Sequence, residues 1–167
     1  SDPKVNFGHK IVSAEEKPNL VNDVFAKVAT RYDIMNDFMS FGTHRIFKRM
    51  VRQMSGVRPG HTVLDLAGGT GDMSALFAEA VRGGPQSHGQ VVLADPNNDM
   101  LQVGRNRMFD AGHTNISVCQ TQGEALPFAD NTFDVACISF GLRNFTDKDL
   151  ALTELLRVLK AGAALVV

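Results

Sequence analysis

The sequence predicts an α/β fold: a doubly wound, mainly parallel sheet with helices on both faces, preceded by N-terminal helices. Three observations carry this. From residue 61 onward, short apolar runs of strand length alternate with segments of helical periodicity, and strands separated by helices pair in parallel with crossovers on either face. The first run, Val63–Leu66, passes straight into Ala67-Gly68-Gly69-Thr70-Gly71-Asp72, too glycine-rich for a helix or strand, and a helical pattern follows. The next run, Val91–Ala94, closes in an acid, Asp95. A tight glycine turn and a second-strand acid lie at the carboxyl edge of such a sheet, where ligands bind in this architecture.

Residues 1–18 are polar with a short apolar patch, Phe7 to Val12, and are expected to be loosely structured. Leu20, Val21, Val24, Phe25 and Val28 share one helical face. Ile46, Phe47, Met50, Val51 and Met54 repeat that spacing in a second helix from about Thr43 to Met54. Arg45, Lys48, Arg49 and Arg52 fall largely on its other side. An apolar stripe beside basic residues suits a core helix with a solvated face, or a helix lying on an anionic membrane. Gly56 and Pro59-Gly60 end it.

His61–Leu66 then reads as the first strand and Asp72–Val81 as a helix. Gly83-Gly84-Pro85 through Gly89 is a loop, Val91–Ala94 the second strand, and Asp99–Ala111 a helix. Ile116–Cys119 is the third strand and Phe133–Ser139 the fourth. Thr146 with Asp149 forms a capping box opening a helix to Leu159, and Ala163–Val167 is the fifth strand. The chain ends inside that strand, so the sheet is expected to be incomplete, with an apolar edge open to aggregation or dimerisation. Residues 1–60 read as a helical cap on the substrate side and 61–167 as a Rossmann-like ligand-binding core, together one compact domain.

Composition narrows the function. The 167 residues are 44% hydrophobic and 21% charged, as in ordinary globular proteins. A net charge of −1 supplies no basic field for nucleic acid. Cys119 and Cys137 both lie in apolar strand-like runs and read as buried free thiols. The five histidines are scattered without ligand spacing, so no metal is expected. No apolar run approaches the roughly 20 residues that span a bilayer. No signal peptide is evident, which predicts a reducing, cytosolic or matrix-like compartment.

The glycine turn indicates which ligand. Aligned to G-x-G-x-x-G, Gly69-Thr70-Gly71-Asp72-Met73-Ser74 has serine at the third glycine. Asp72 puts a negative charge where a pyrophosphate would lie. That repels a dinucleotide and suits a cationic or zwitterionic nucleoside such as S-adenosylmethionine; the alternative is a plain strand–helix turn. Asp65, Ala67, Gly69, Thr70 and Gly71 are the candidate contacts from the first strand. Asp95 lies 24 residues beyond Gly71, near the offset of an acid that grips ribose hydroxyls, or else acts as a turn or N-cap acid. After the third strand, Gln122-Gly123 can reach an adenine edge, and Leu126 or Phe128 its face; an ordinary surface loop is the alternative. After the fourth comes Ser139-Phe140-Gly141-Leu142-Arg143-Asn144, where Arg143 and Asn144 put a cation and an amide beside the expected reaction centre. A structural ion pair of Arg143 with Asp147 is the alternative.

These segments resemble the ubiquinone/menaquinone biosynthesis C-methyltransferase family, within the class I S-adenosylmethionine-dependent methyltransferases. Phe7-Gly8, Val24-Phe25, Val28-Ala29, Tyr32-Asp33-Ile34-Met35-Asn36-Asp37, Met39 to Arg45, Val63 to Asp72, Leu93-Ala94-Asp95, Glu124 to Phe128, Asp130 to Asp134 and Ser139 to Asn144 carry the likeness over nearly the whole chain. The glycine turn is shared by many methyltransferases. The Tyr-Asp-x-Met-Asn and Ser-Phe-Gly-x-Arg-Asn segments are far more specific. The resemblance implies S-adenosyl-L-methionine as cofactor, with S-adenosyl-L-homocysteine as product, and contacts at Thr70, Asp95, Gln122-Gly123 and Ser139.

It further implies methylation of a ring carbon of a polyprenylated benzoquinol or naphthoquinol in ubiquinone or menaquinone biosynthesis. Arg143 would stabilise the phenolate, and Asn144 would orient the ring or a water. Tyr32 would cover the cofactor or meet the substrate, unless it is a core tyrosine. His44 resembles a family position and reads as structural or as a pocket residue. A homodimer, a quinone-biosynthesis assembly and a peripheral contact at the inner membrane are the partners such a function admits, in the cytoplasm or a mitochondrial matrix. Two departures stand out. Gln122-Gly123 replaces the family's usual amide or acid followed by alanine, and Lys160-Ala161-Gly162-Ala163 replaces Lys-Pro-Gly-Gly, which predicts a looser turn and a shifted fifth strand. The family also continues beyond residue 167. Rival readings are a nicotinamide-dependent oxidoreductase, which Ser74 and Asp72 disfavour, a non-catalytic partner of quinone-synthesis enzymes, and a methyltransferase with another acceptor.

Overall fold

The computed structural model describes residues 4–7, 10–13, 49–50, 53–138 and 145–166. Its centre is a five-stranded parallel sheet in the order β5-β4-β3-β6-β7. The strands are β3 (Thr62–Leu66), β4 (Gln90–Asp95), β5 (Ile116–Gln120), β6 (Phe133–Ile138) and β7 (Leu159–Val166). Helices α1 (Asp72–Val81), α2 (Asn98–Asp110) and α3 (Lys148–Val158) connect them. The order reverses at β3, so its carboxyl end is the switch point where a crevice opens.

The three central strands, β4, β3 and β6, are largely buried on both faces, which is why they read as near-continuous apolar runs. Leu64 and Leu66 point to one side, into a cluster with Phe133, Ala136, Ile138, Ala151, Leu155 and Val158 under α3. Val63 points to the other, into a cluster with Phe77, Ala78, Val81, Val91, Val135 and Cys137 under α1. The period of two along β3 therefore puts Asp65 on the α1 side. Cys119 and Cys137 are free; Cys137 is buried and Cys119 half-buried.

Several expectations are corrected. Residues 1–18 are not loose throughout: β1 (Lys4–Phe7) pairs antiparallel with β2 (Lys10–Ser13), with Lys4 opposite Ser13 and Phe7 opposite Lys10. Two runs separated by Gly8-His9 carry the two-residue hairpin spacing that points to this. The cap of α3 is Asp147, whose side chain accepts from the Leu150 N–H at 2.9 Å, rather than Thr146 with Asp149. β7 starts at Leu159, not Ala163. Phe133 pairs with Leu159 but Val135 with Ala164, so the altered turn is absorbed as a bulge. There Gly162 takes φ +75° and Lys160 Nζ donates to Asp134 Oδ1 at 3.1 Å. The helix expected over residues 20–28 lies outside the described residues. Of the one expected over 43–54, residues 49–50 and 53–55 are described and helical, with Met50 and Met54 exposed.

Candidate functional site: an acid and glycine crevice at the strand ends

Parallel register fixes which loops share one edge. Leu66 lies opposite Ala94 and Ile138, and Asp95 opposite Gln120. The loops after β3, β4 and β5 therefore leave the sheet side by side.

Asp65 is fully buried near the end of β3. Its Oδ2 accepts from the Ser74 hydroxyl at 2.7 Å. Its Oδ1 is buried without a hydrogen-bond partner. Burial pushes the carboxyl up to about 7; the Ser74 hydroxyl pulls it back, and the nearby charges of Asp95 and Asp72 push it further. Ser74 thus has a function that the fingerprint comparison missed. A buried acid needs a donor, and a serine on the first turn of the following helix is placed to give one.

The chain from Ala67 to Gly71 folds back over this carboxylate. The Ala67 N–H donates to the Ala94 carbonyl at 2.7 Å, and the Gly71 N–H to the Gly68 carbonyl at 3.0 Å. A Cβ on Gly68 would lie 2.5 Å from Leu93 Cδ1 and 2.7 Å from Asp65 Oδ2, so only glycine fits. Gly71 takes φ +84°, and Ala67 takes φ +56°, a left-handed conformation that costs an L-residue on the order of 1 kcal/mol. Strain held at a strand-end loop marks a functional turn.

Asp95 sits against the same loop. Its Oδ2 accepts the Gly69 N–H at 3.1 Å and its Oδ1 the Asn97 N–H at 2.8 Å. Burial raises its pKa, opposed by the amides of Asn97 and Gly69. A carboxylate offers about four lone-pair positions, so two remain for a vicinal diol. The turn-acid and ribose roles anticipated for Asp95 are therefore compatible. Thr70 is buried, with Oγ1 3.4 Å from Asp72 Oδ2. Asp72 itself is paired with Arg107 of α2 at 3.1 Å. The negative charge expected at the helix start thus has a cation beside it, and Arg107 was not legible as its partner because it lies 35 residues away in sequence.

On the β5 side, Gln122 is exposed and Gly123 buried. Leu126 belongs to the core under α3, and Phe128 meets the Phe133 ring edge-on with centroids 5.1 Å apart. Leu126 is thereby buried in packing, while Phe128 stays half-buried. Ser139, Arg143, Asn144, Tyr32 and His44 lie outside the described residues. Among the described residues, no group of histidines, cysteines and acids is placed to hold a metal ion.

The chain is 54% identical over 99% of its length to the ubiquinone/menaquinone biosynthesis C-methyltransferase UbiE of Shewanella frigidimarina, covering 65% of that protein. It is 56% identical over 97% of its length to the corresponding protein of Haemophilus ducreyi, covering 61%. It thus spans less than two thirds of the length of these relatives. Among solved structures, a SAM-dependent methyltransferase from Aquifex aeolicus superposes with a TM-score of 0.61 at 26% identity, over 68% of this chain and 58% of that one. The family model of the ubiE/COQ5 methyltransferases matches residues 10–167, a span holding Asp65, the glycine turn and Asp95, and the chain belongs to that family.

Proposed function

We propose that the chain is the cofactor-binding part of an S-adenosylmethionine-dependent C-methyltransferase acting on a polyprenylated benzoquinol or naphthoquinol. The observation that carries this is the Asp65 carboxylate, fully buried with Oδ1 unpartnered, beneath a loop in which Gly68 has no room for a Cβ. A buried acceptor beside a tight backbone turn fits the ammonium of an amino-acid moiety, and Asp95 fits the ribose diol of the same ligand. The residues present therefore suit the cofactor. When bound, S-adenosylmethionine supplies a methyl group already activated on a sulfonium.

The protein's contribution is then placement. Asp65 takes the ammonium, Ala67, Gly69, Thr70 and Gly71 line the amino-acid end, and Asp95 holds the ribose. Gln122, Gly123 and Ser139 are assigned to the base. Arg143 stabilises the phenolate of the acceptor, which makes the adjacent ring carbon nucleophilic. Asn144 orients the ring or a water that removes the ring proton, since a guanidinium is a poor base. Tyr32 covers the cofactor or contacts the acceptor. Residues 1–60 act as the substrate-side cap, and residues 61–167 bind the cofactor.

A lipid acceptor also calls for a membrane contact at the cytoplasmic face. The basic residues Arg45, Lys48, Arg49 and Arg52 beside the exposed Met50 and Met54 suit an anionic surface. No helix among the described residues is long and apolar enough to cross a membrane. A homodimer or a quinone-biosynthesis assembly is the further partner such a function admits. The relatives lend no support to the nicotinamide or non-catalytic readings.

The test is transfer of labelled methyl from S-adenosylmethionine to a short-chain quinol, with Arg143→Ala beside the parent chain. We expect the variant to lose about 100-fold or more in turnover, the scale of one lost oxyanion-stabilising group, with S-adenosylhomocysteine affinity nearly unchanged. Equal losses in turnover and affinity would remove Arg143 from the acceptor site.

A further inference from the structure

The strand ends are tied together by hydrogen bonds that run beyond the cofactor contacts. The Gly69 N–H reaches Asp95 Oδ2, and the Thr121 N–H reaches the Asp95 carbonyl at 3.2 Å. Thr121 Oγ1 donates to the carbonyls of Gln122 at 3.2 Å or Ala125 at 3.1 Å, and the Ala125 N–H donates to the Gln122 carbonyl at 3.2 Å. Residues 121–125 are thereby closed into a turn anchored on Asp95. From this turn the half-buried Glu124 reaches across to the start of α3. Its Oε1 accepts the Thr146 N–H at 2.9 Å and the Asp147 N–H at 3.2 Å.

A carboxylate taking two backbone amides makes charge-assisted bonds, stronger than neutral ones. The neighbouring residue is fitted to the same contact. A Cβ on Gly123 would stand 3.0 Å from both Cε1 and Cζ of Phe145, so glycine lets the ring close down on the turn. That gives a packing reason for glycine where the family usually carries alanine. Asp147 meanwhile caps Leu150, leaving its own N–H for Glu124.

We propose that Glu124 is a positioning residue, whose carboxylate locks the turn after β5 to the start of α3 so that filling the Asp95 crevice orders Thr146 and Asp147. The proposal rests on the cofactor reading above. It makes Glu124 a coupling element between crevice and helix, distinct from a plain loop tether. A tether would protect those amides equally with and without ligand.

Hydrogen exchange of the full chain, with and without saturating S-adenosylhomocysteine, separates the two. In the parent chain, ligand should slow exchange at Thr146 and Asp147 by about tenfold, within the usual range of coupling between sites. Glu124→Gln keeps a carbonyl oxygen for both amides and should retain the effect. Glu124→Ala should reduce it below about twofold. Glu124→Asp, shorter by one methylene, should show the same loss if the alanine variant does not fold. Ligand protection in Glu124→Ala or Glu124→Asp equal to that of the parent would overturn the proposal. So would a parent chain that binds the ligand without protecting these amides. Failure of the parent to bind S-adenosylhomocysteine at all, read by calorimetry, would overturn the cofactor reading and the proposal together.

Discussion

Asp65 has one oxygen satisfied by Ser74 and one left without a partner in the apolar interior. Burial holds its carboxyl near 7, against an ordinary value of 3.8. Between those values the folded chain keeps a proton that the unfolded chain has released, so stability from this group is full below about pH 4 and is lost as pH rises toward 7. Glu154 works the other way. The Arg157 guanidinium lowers its pKa, so its contribution is lost only as pH falls into the acid range. Replacing Asp65 with the uncharged, isosteric asparagine should flatten the fall in thermal midpoint between about pH 4 and about pH 7. Identical slopes for the two chains would show that Asp65 stays ionised throughout.

The acids at 65 and 95 were legible in the sequence because one lies a residue before the end of an apolar run and the other closes one, and the glycines because that turn demands their backbone freedom. Ser74 was misread because a motif comparison registers only that it is not glycine. The Asp72–Arg107 pair was invisible because α2 must first be folded back over the loop.

The helix starting at Lys148 shows what a single cap contributes. Asp147 Oδ1 takes the Leu150 N–H, and the side chain is otherwise exposed. Asp147→Ala should therefore destabilise the chain by about 1 kcal/mol, a drop of about 2–4 °C in thermal midpoint for a domain of this size. Thr146→Ala should leave the midpoint unchanged, because only its backbone N–H is used. The reverse pattern would restore the Thr146–Asp149 box that the sequence suggests.

Elements with strong periodicity were read almost to the residue: Asp72–Val81 has the same bounds in sequence and structure. The strands β3 to β6 were read to within a residue at either end, but β1, β2 and β7 were not. The hairpin of β1 and β2 was masked by a polar composition, and the early start of β7 follows from a bulge that only its pairing with β6 reveals.

At the scale of the molecule, alternation along β3 divides the interior into two cores, one under α3 and one under α1. The same alternation turns Asp65 toward α1 and sets it below the glycine loop. The fold and the candidate crevice are therefore one consequence of the pattern from Val63 to Ser74. Tyr32, Ser139, Arg143 and Asn144 are tied to their roles by family likeness rather than by periodicity.

Asp65, the turn 67–71 and Asp95 together are proposed to form a site for an adenosyl amino acid. Calorimetric titration of the chain with S-adenosylhomocysteine, with NADH as control, tests it most directly. Saturable binding at one site for the first ligand and none for the second is the predicted result. A chain folded by circular dichroism that binds neither, or binds NADH as well as S-adenosylhomocysteine, would contradict it.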